Sequence, residues 1–349
     1  MSARPHKPFV TVVRANLLAL MFGTAFCPAI AQPAPSSDAR DSTRAALVRD
    51  IAYLASELLE GRATGSAGGD SAANFLAKAY LAMQVAPVLT SGDCDTAGAC
   101  RLTYFQVFRP PVTALTAAGI RADALAFNVI AGMLGTDSTL RGQWLVVGGH
   151  YDHLGRTGLG ARDLSMKRAP HLGADDNASG TAAVLELARR LSSSPMRRPV
   201  MFVNFGAEEL GLVGSTLFVQ IPPVPVDSIS AMFNFDMVGH LGGGRLLLRG
   251  LASSADWRFI LDTATAGLRL PIEPDFYDDP SQAGSDHAPF SAVGVPVVHF
   301  FTGLHDAYHT RFDTVAGIDV DGMMKVIDFA ERVIRLVGDG NRTPARSKR

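Results

Sequence analysis

Four short, continuous and mainly apolar runs constrain this chain more than any other feature: "QWLVVGG" (143–149), "PVMFVNF" (199–205), "AMFNFDMV" (231–238) and "PVVHFF" (296–301). A strand half-exposed to water alternates apolar and polar residues. Continuous runs of this length are strands covered on both faces. Helical patterns lie between them, notably over 178–191 and 252–267. Strands and helices in turn build a largely parallel sheet. The expected architecture is α/β: a single three-layer α/β/α domain around a mixed, mostly parallel central sheet. Apolar residues at helical spacing predict further helices over 42–60, 70–83 and 318–337, and 101–132 reads as edge strands. Segments 155–172 and 271–285 read as loops. A length of 349 residues would admit two domains, but no repeat or second domain is visible. The boundaries drawn are a flexible segment at 32–41, one domain at 42–339 and a disordered tail at 340–349.

The polar residues collect where these strands stop. "GGHYDHLG" puts His150 and Asp152 just past the first run, and "FGAEELG" puts Glu208 and Glu209 just past the second. "FNFDMVGH" puts Asp236 at the end of the third. "GADDNASG" puts Asp175 and Asp176 before a helix, and "YHTRFD" puts His309 and Asp313 in the loop after the last strand. Open α/β sheets bind ligands outside the carboxyl ends of their strands. Each piece alone has a plain reading: two aspartates cap a helix, and a glutamate pair is usually solvated. Asp236 resists such a reading, because a carboxylate inside so apolar a strand needs a strong partner, and a metal ion is one of few that suffice.

Two histidines and several carboxylates suit zinc or a related divalent ion. His150, Asp175, Glu209, Asp236 and His309 are five candidate ligands, too many for one catalytic zinc. They suit two ions if one carboxylate is shared, and a further carboxylate would then serve as base toward a water.

Together with "GSDHAPF" (284–290), these motifs, taken in their order along the chain, resemble the co-catalytic zinc aminopeptidases of peptidase family M28 over roughly 127–335, and "LASELLEGRATGSAGG" (54–69) is also similar to many members. The resemblance implies a phosphorylase/hydrolase-like peptidase fold, two zinc ions per chain, and peptide or protein substrates. It implies Asp175 as the bridging carboxylate, His150 and Asp236 on one zinc, and Glu209 and His309 on the other. Glu208 is implied as the general base and Asp152 as the carboxylate that orients the His150 imidazole. Asp176 would follow the bridge in a peptide that is often cis in the family. Ser285, Asp286 and His287 would line the substrate side. Two enzymatic alternatives remain: a carboxypeptidase or dipeptidase, with Arg156, Arg162 or Arg168 binding a substrate carboxylate, and a glutaminyl cyclase, which works with one zinc. A binding module without catalysis would have lost Glu208 or a ligand, and none is lost.

The N-terminus carries its own message. Arg4, Lys7 and Arg14 precede an apolar stretch at 15–31 that ends in Ala29-Ile30-Ala31, the pattern of a secretory leader cut after Ala31. The predicted location is the periplasm or the medium, without stable membrane insertion once the leader is gone. Loss of those three cations leaves 29 basic against 33 acidic side chains, net −4, and with no basic run nothing points to nucleic acid. Cys94 and Cys100 then remain as an even pair, for which a short loop disulfide is the simplest reading in an oxidising compartment and two free thiols the alternative. The expected state is a monomer.

Overall fold

The computed structural model describes residues 37–94, 100–156, 159–163, 169–277 and 284–346, without the side chains of 91–94 and 100. The predicted leader lies outside them. The chain opens with helices α1 (Ser37–Leu54) and α2 (Ala67–Ala82), then strands β1 (Ala86–Pro87), β2 (Leu89–Cys94), β3 (Cys100–Thr103) and β4 (Phe105–Phe108). A short helix α3 (Val112–Ala117) leads to β5 (Ala126–Met133), β6 (Trp144–His150), α4 (Gly180–Ser193), β7 (Val200–Phe205) and α5 (Val213–Gln220). Then follow β8 (Ile229–Phe235), β9 (Leu246–Arg249), α6 (Trp257–Thr265), β10 (Ile272–Pro274), α7 (His287–Ala292), β11 (Val297–Phe301) and α8 (Val320–Gly338).

The four apolar runs become β6, β7, β8 and β11. They lie side by side and parallel, in the order β7-β6-β8-β11. β5 joins the β7 side antiparallel and carries β1 and β4 on its outer edge. β9 joins β11 antiparallel and is followed by β10, completing a nine-stranded mixed sheet. β2 and β3 form a separate hairpin in which Cys94 and Cys100 stand directly opposite one another; the expected disulfide concerns side chains outside the described ones.

Strand side chains point alternately to opposite faces. Leu145, Val147, Phe202, Phe233 and Phe300 therefore meet one helical layer, which includes α1, α2, α4 and α8. Val146, Met201, Val203, Met232 and Val297 meet the other, through Phe218 of α5 and Phe290 of α7. Burial on both faces is why these strands read as continuous apolar runs.

Two expectations at the ends change. Residues 37–41, expected to be flexible, form the first turns of α1. Within the expected disordered tail, residues 340–346 pack on the body, and the Arg346 guanidinium donates to the carbonyls of Val226 and Gly294.

β6 is the point from which the sheet grows in two directions, because the chain continues to β7 on one side and later to β8 on the other. Such a reversal opens a crevice at the carboxyl ends of the strands. The last residue of β6 is His150, and Glu208, Glu209 and Asp236 lie just past β7 and β8. The crevice is tight: a side chain at Gly149 would stand 2.4 Å from the Phe235 carbonyl oxygen, so only glycine fits there.

Candidate metal centre

His150 is buried, with Nε2 3.3 Å from Asp236 Oδ1, 3.4 Å from Asp176 Oδ1 and 3.9 Å from Glu208 Oε2. His309 presents Nε2 2.9 Å from Asp176 Oδ2 and 3.4 Å from Glu209 Oε2. One carboxylate, that of Asp176, therefore faces both histidines, one oxygen to each. Asp236 completes the first set and Glu209 the second.

This moves the expected bridge by one residue. Asp175 is fully buried on the other side of its turn: Oδ1 accepts hydrogen bonds from the Ser179 hydroxyl (2.9 Å) and the Gly239 N–H (2.7 Å), and Oδ2 lies 3.1 Å from His305 Nε2. The turn at 174–179 is irregular, with Asp176 at φ −101° and ψ 96°, so the two adjacent aspartates point in different directions. The cis peptide is shifted by one as well, to Asp176–Asn177.

Each set is supported from behind. His309 Nδ1 lies 3.0 Å from the Gly160 carbonyl, which fixes Nδ1–H as donor and turns Nε2 inward. His150 Nδ1 contacts the Asp152 carbonyl oxygen at 3.2 Å, while the Asp152 carboxylate, the expected orienting group, stands at 3.8 Å. That carboxylate accepts from the Thr64 hydroxyl (2.8 Å) and the Glu208 N–H (3.0 Å). Three ligand-bearing turns contain non-glycine residues with left-handed backbone: Ala207 (φ 58°), Met237 (φ 54°) and His309 (φ 55°). Such conformations cost about 1 kcal/mol or more each and persist where the surrounding structure imposes them.

Burial and crowding together raise the Glu208 and Glu209 carboxyls well above their ordinary range. Burial opposes charge on the two facing histidines, but the carboxylates beside them outweigh it, so both are raised, His309 to about 9. Asp236 is held down to about 2 against its own burial by the facing His150. Without a cation the site neutralises its charge by keeping protons, which a divalent ion would displace.

The segment expected to line the substrate side lies deeper than predicted. Ser285, Asp286 and His287 are all buried. Ser285 donates to Asp236 Oδ2 at 2.7 Å and accepts from Asn234 at 2.8 Å, so it stands behind Asp236. His287 stacks on His299 at 4.4 Å, and burial pushes Asp286 up to about 7. Only Gly284 of that motif reaches the cavity. The cavity, about 290 Å³, is lined by the carboxylates of Asp176, Glu208, Glu209 and Asp236, with Leu212, Met237 and Tyr308 as its larger apolar surfaces. No arginine or lysine lines it among the described residues.

Sequence reasoning missed two residues of weight here. His153 is buried, with Nδ1 2.8 Å from Glu209 Oε1; the visible signal was a second histidine in "HYDHLG". Arg62 lies in the quoted "LEGRATGS" stretch, but nothing local indicates that its guanidinium sits beneath the site. A further trio, Asp175, His240 and His305, brings ligand atoms close together. Its two rings stack at 3.8 Å and 3°, however, and the in-plane lone pairs of parallel rings cannot converge on one ion.

The donor set fits two divalent ions: two imidazole nitrogens, two private carboxylates and one carboxylate facing both. Residues 128–334, more than half of the chain, match the sequence pattern of Peptidase family M28. Aminopeptidase YwaD of Bacillus subtilis (strain 168) is 31% identical over 172 residues, 46% of this chain and 37% of that protein. Leupeptin-inactivating enzyme 1 of Streptomyces exfoliatus is 30% identical over 195 residues, 49% of this chain and 43% of that protein. The alignments thus span less than half of these relatives. The crystal structure of BSAP, a zinc aminopeptidase from Bacillus subtilis, superposes with a TM-score of 0.64 at 18% identity over 86% of this chain and 96% of that one. A Bacteroides thetaiotaomicron glutaminyl cyclase bound to N-acetylhistamine superposes with a TM-score of 0.60 at 17% identity, over 84% of this chain and 97% of that one.

Proposed function

The chain belongs to peptidase family M28, and on that footing we propose that it is an exported aminopeptidase working with two zinc ions. The observation that carries this reading is the Asp176 carboxylate, which faces His150 with one oxygen and His309 with the other. His150 and Asp236 would hold one ion, His309 and Glu209 the second, and Asp176 would be shared. Bound there, the ions supply Lewis-acid polarisation of a peptide carbonyl and a water of lowered pKa. Glu208 acts as base: its side chain reaches the cavity and its backbone N–H is fixed by Asp152. It takes the proton of the attacking water and returns it to the leaving amine.

Among the described residues no arginine or lysine lines the cavity to hold the carboxylate that a carboxypeptidase must bind, and the aminopeptidases among the relatives favour cleavage next to a free amino terminus. Arg156, one of the arginines considered for that role, pairs with Glu60 at 3.3 Å; Arg162 is exposed, and Arg168 lies outside the described residues. The test pairs a free peptide with its N-acetylated form. The free peptide should be hydrolysed, and equal cleavage of both would rule out an aminopeptidase. Metal analysis should find about two zinc per chain. Cyclisation of an N-terminal glutamine at the expense of hydrolysis would favour the cyclase reading instead.

Export follows from the leader pattern, and the mature N-terminus is proposed to be Gln32, in the periplasm or the medium, which N-terminal sequencing would check. Cys94 and Cys100, opposite in their hairpin, are proposed to form a disulfide, to be read by thiol titration with and without reductant. A monomer is proposed, to be checked by light scattering.

A further inference from the structure

Arg62 is among the largest fully buried side chains of the protein, yet among the described residues no carboxylate lies in ion-pair contact with it. All of its donors go to backbone carbonyls. Nε donates to Tyr151 (2.7 Å), Nη1 to Leu54 (3.1 Å) and Leu172, and Nη2 to Gly173 (2.6 Å) and Asp176 (3.2 Å). Tyr151 follows His150, and Leu172, Gly173 and Asp176 belong to the turn that aims the shared carboxylate. The opposite edge of that turn is held by Asp313, four residues past His309. Its Oδ1 accepts the Asp175 N–H at 2.8 Å and its Oδ2 the Asp176 N–H at 3.0 Å.

We propose that Arg62 and Asp313 are positioning residues that grip the backbone of the 172–176 turn from its two sides and so hold the Asp176 carboxylate between His150 and His309. The inference rests on the metal-centre reading above. A planar fork suits this task better than an ammonium, because its five N–H bonds leave in fixed directions and meet carbonyls from three separate segments. The turn cannot hold this shape through its own helix: Asp176 and Asn177 have non-helical backbone, and Gly173 has φ +59°. At Gly173 a side chain would lie 2.4 Å from the His153 ring and 2.1 Å from the Asp176 carbonyl, so the turn is packed on the same ligand-side groups.

Arg198 provides the control within the same molecule. It is also buried and donates to the carbonyls of Val337 (2.8 Å) and Gly340 and to the Gln143 side chain (2.9 Å). It precedes β7, at the far end of the sheet from the ligands. A defect that is only structural should appear equally in both arginines.

The test measures zinc affinity of the full chain by competition with a chromophoric chelator, well below the unfolding temperature of each metal-free variant. Arg62→Met should bind zinc about 10- to 100-fold more weakly, the usual effect of removing a group that orients ligands. Arg198→Met should stay within about three-fold of the wild type, as expected for distant, independent sites. Arg62→Lys keeps the charge but not the fork and should lose about 10-fold; it decides the question if Arg62→Met does not fold. Asp313→Asn, which leaves one of the two N–H groups without an acceptor, should weaken zinc in the same direction. Wild-type zinc affinity in Arg62→Lys and Asp313→Asn would overturn the inference, as would equal losses in the Arg62 and Arg198 variants. A wild-type protein that binds no zinc would instead remove the metal-centre reading itself.

Discussion

The two ends of the central sheet solve one problem in opposite ways. Both must finish buried strands whose last backbone groups need partners. At the amino end, Arg198 supplies donors to the close of α8, and the nearby Arg197 pairs with Asp137 at the surface. Both of these arginines meet acceptors, carbonyls and a side-chain amide for Arg198 and a carboxylate for Arg197. At the carboxyl end, Arg62 performs the same service for the backbone, but Asp176, Glu208, Glu209 and Asp236 are gathered above it facing two histidines. One end completes the fold; the other uses a completed fold to hold like charges together. Carboxylates gathered at buried or partly buried positions on well-anchored turns distinguish a site from a cap.

The largest expected effect tests whether the gathered carboxylates have separate duties. Glu208→Gln should lower kcat by about 10² to 10⁴-fold while zinc content stays at the wild-type level. Loss of metal in that variant would merge its role with that of Glu209. Next is the pair of adjacent aspartates. Asp176→Asn should strip zinc, whereas Asp175→Asn should keep it and lower stability by about 1–3 kcal/mol through its damaged buried hydrogen bonds. Metal content by mass spectrometry alongside thermal unfolding separates the two, and the reverse pattern would restore Asp175 as the bridge. Ser285→Ala removes the hydroxyl behind Asp236 and should weaken zinc by about 10-fold. The smallest change in zinc belongs to the amino end: Arg198→Met should lower unfolding stability by about 1–3 kcal/mol by leaving carbonyls without donors. A comparable loss of zinc there would erase the contrast between the two ends.

How much of this could be read from the residues follows from distance along the chain. The four parallel strands were legible because burial on both faces writes itself into consecutive residues. The placement of His150, Glu208, Glu209 and Asp236 followed, since strand ends are local events. The choice between Asp175 and Asp176 was not legible, because it depends on an irregular turn whose backbone follows neither helix nor strand periodicity. The depth of Ser285, Asp286 and His287 was hidden for a related reason: a polar triplet in a loop looks exposed until Asn234 and Asp236 are found beneath it. Arg62 was the least legible, since its acceptors at Tyr151, Leu172, Gly173 and Asp176 lie 89 to 114 positions away.

That reach has a consequence for how the protein matures. The 172–176 turn takes its shape from residue 62 on one side and residue 313 on the other, so neither half of the chain can build it alone. Contacts so far apart in sequence form only after long loops have closed, at an entropic cost that nearby contacts do not carry. A nascent or clipped chain can own every ligand up to Asp236 and still lack the pocket that aims them. Tight zinc binding therefore doubles as a certificate of completion, given only to a molecule whose beginning and end have both arrived.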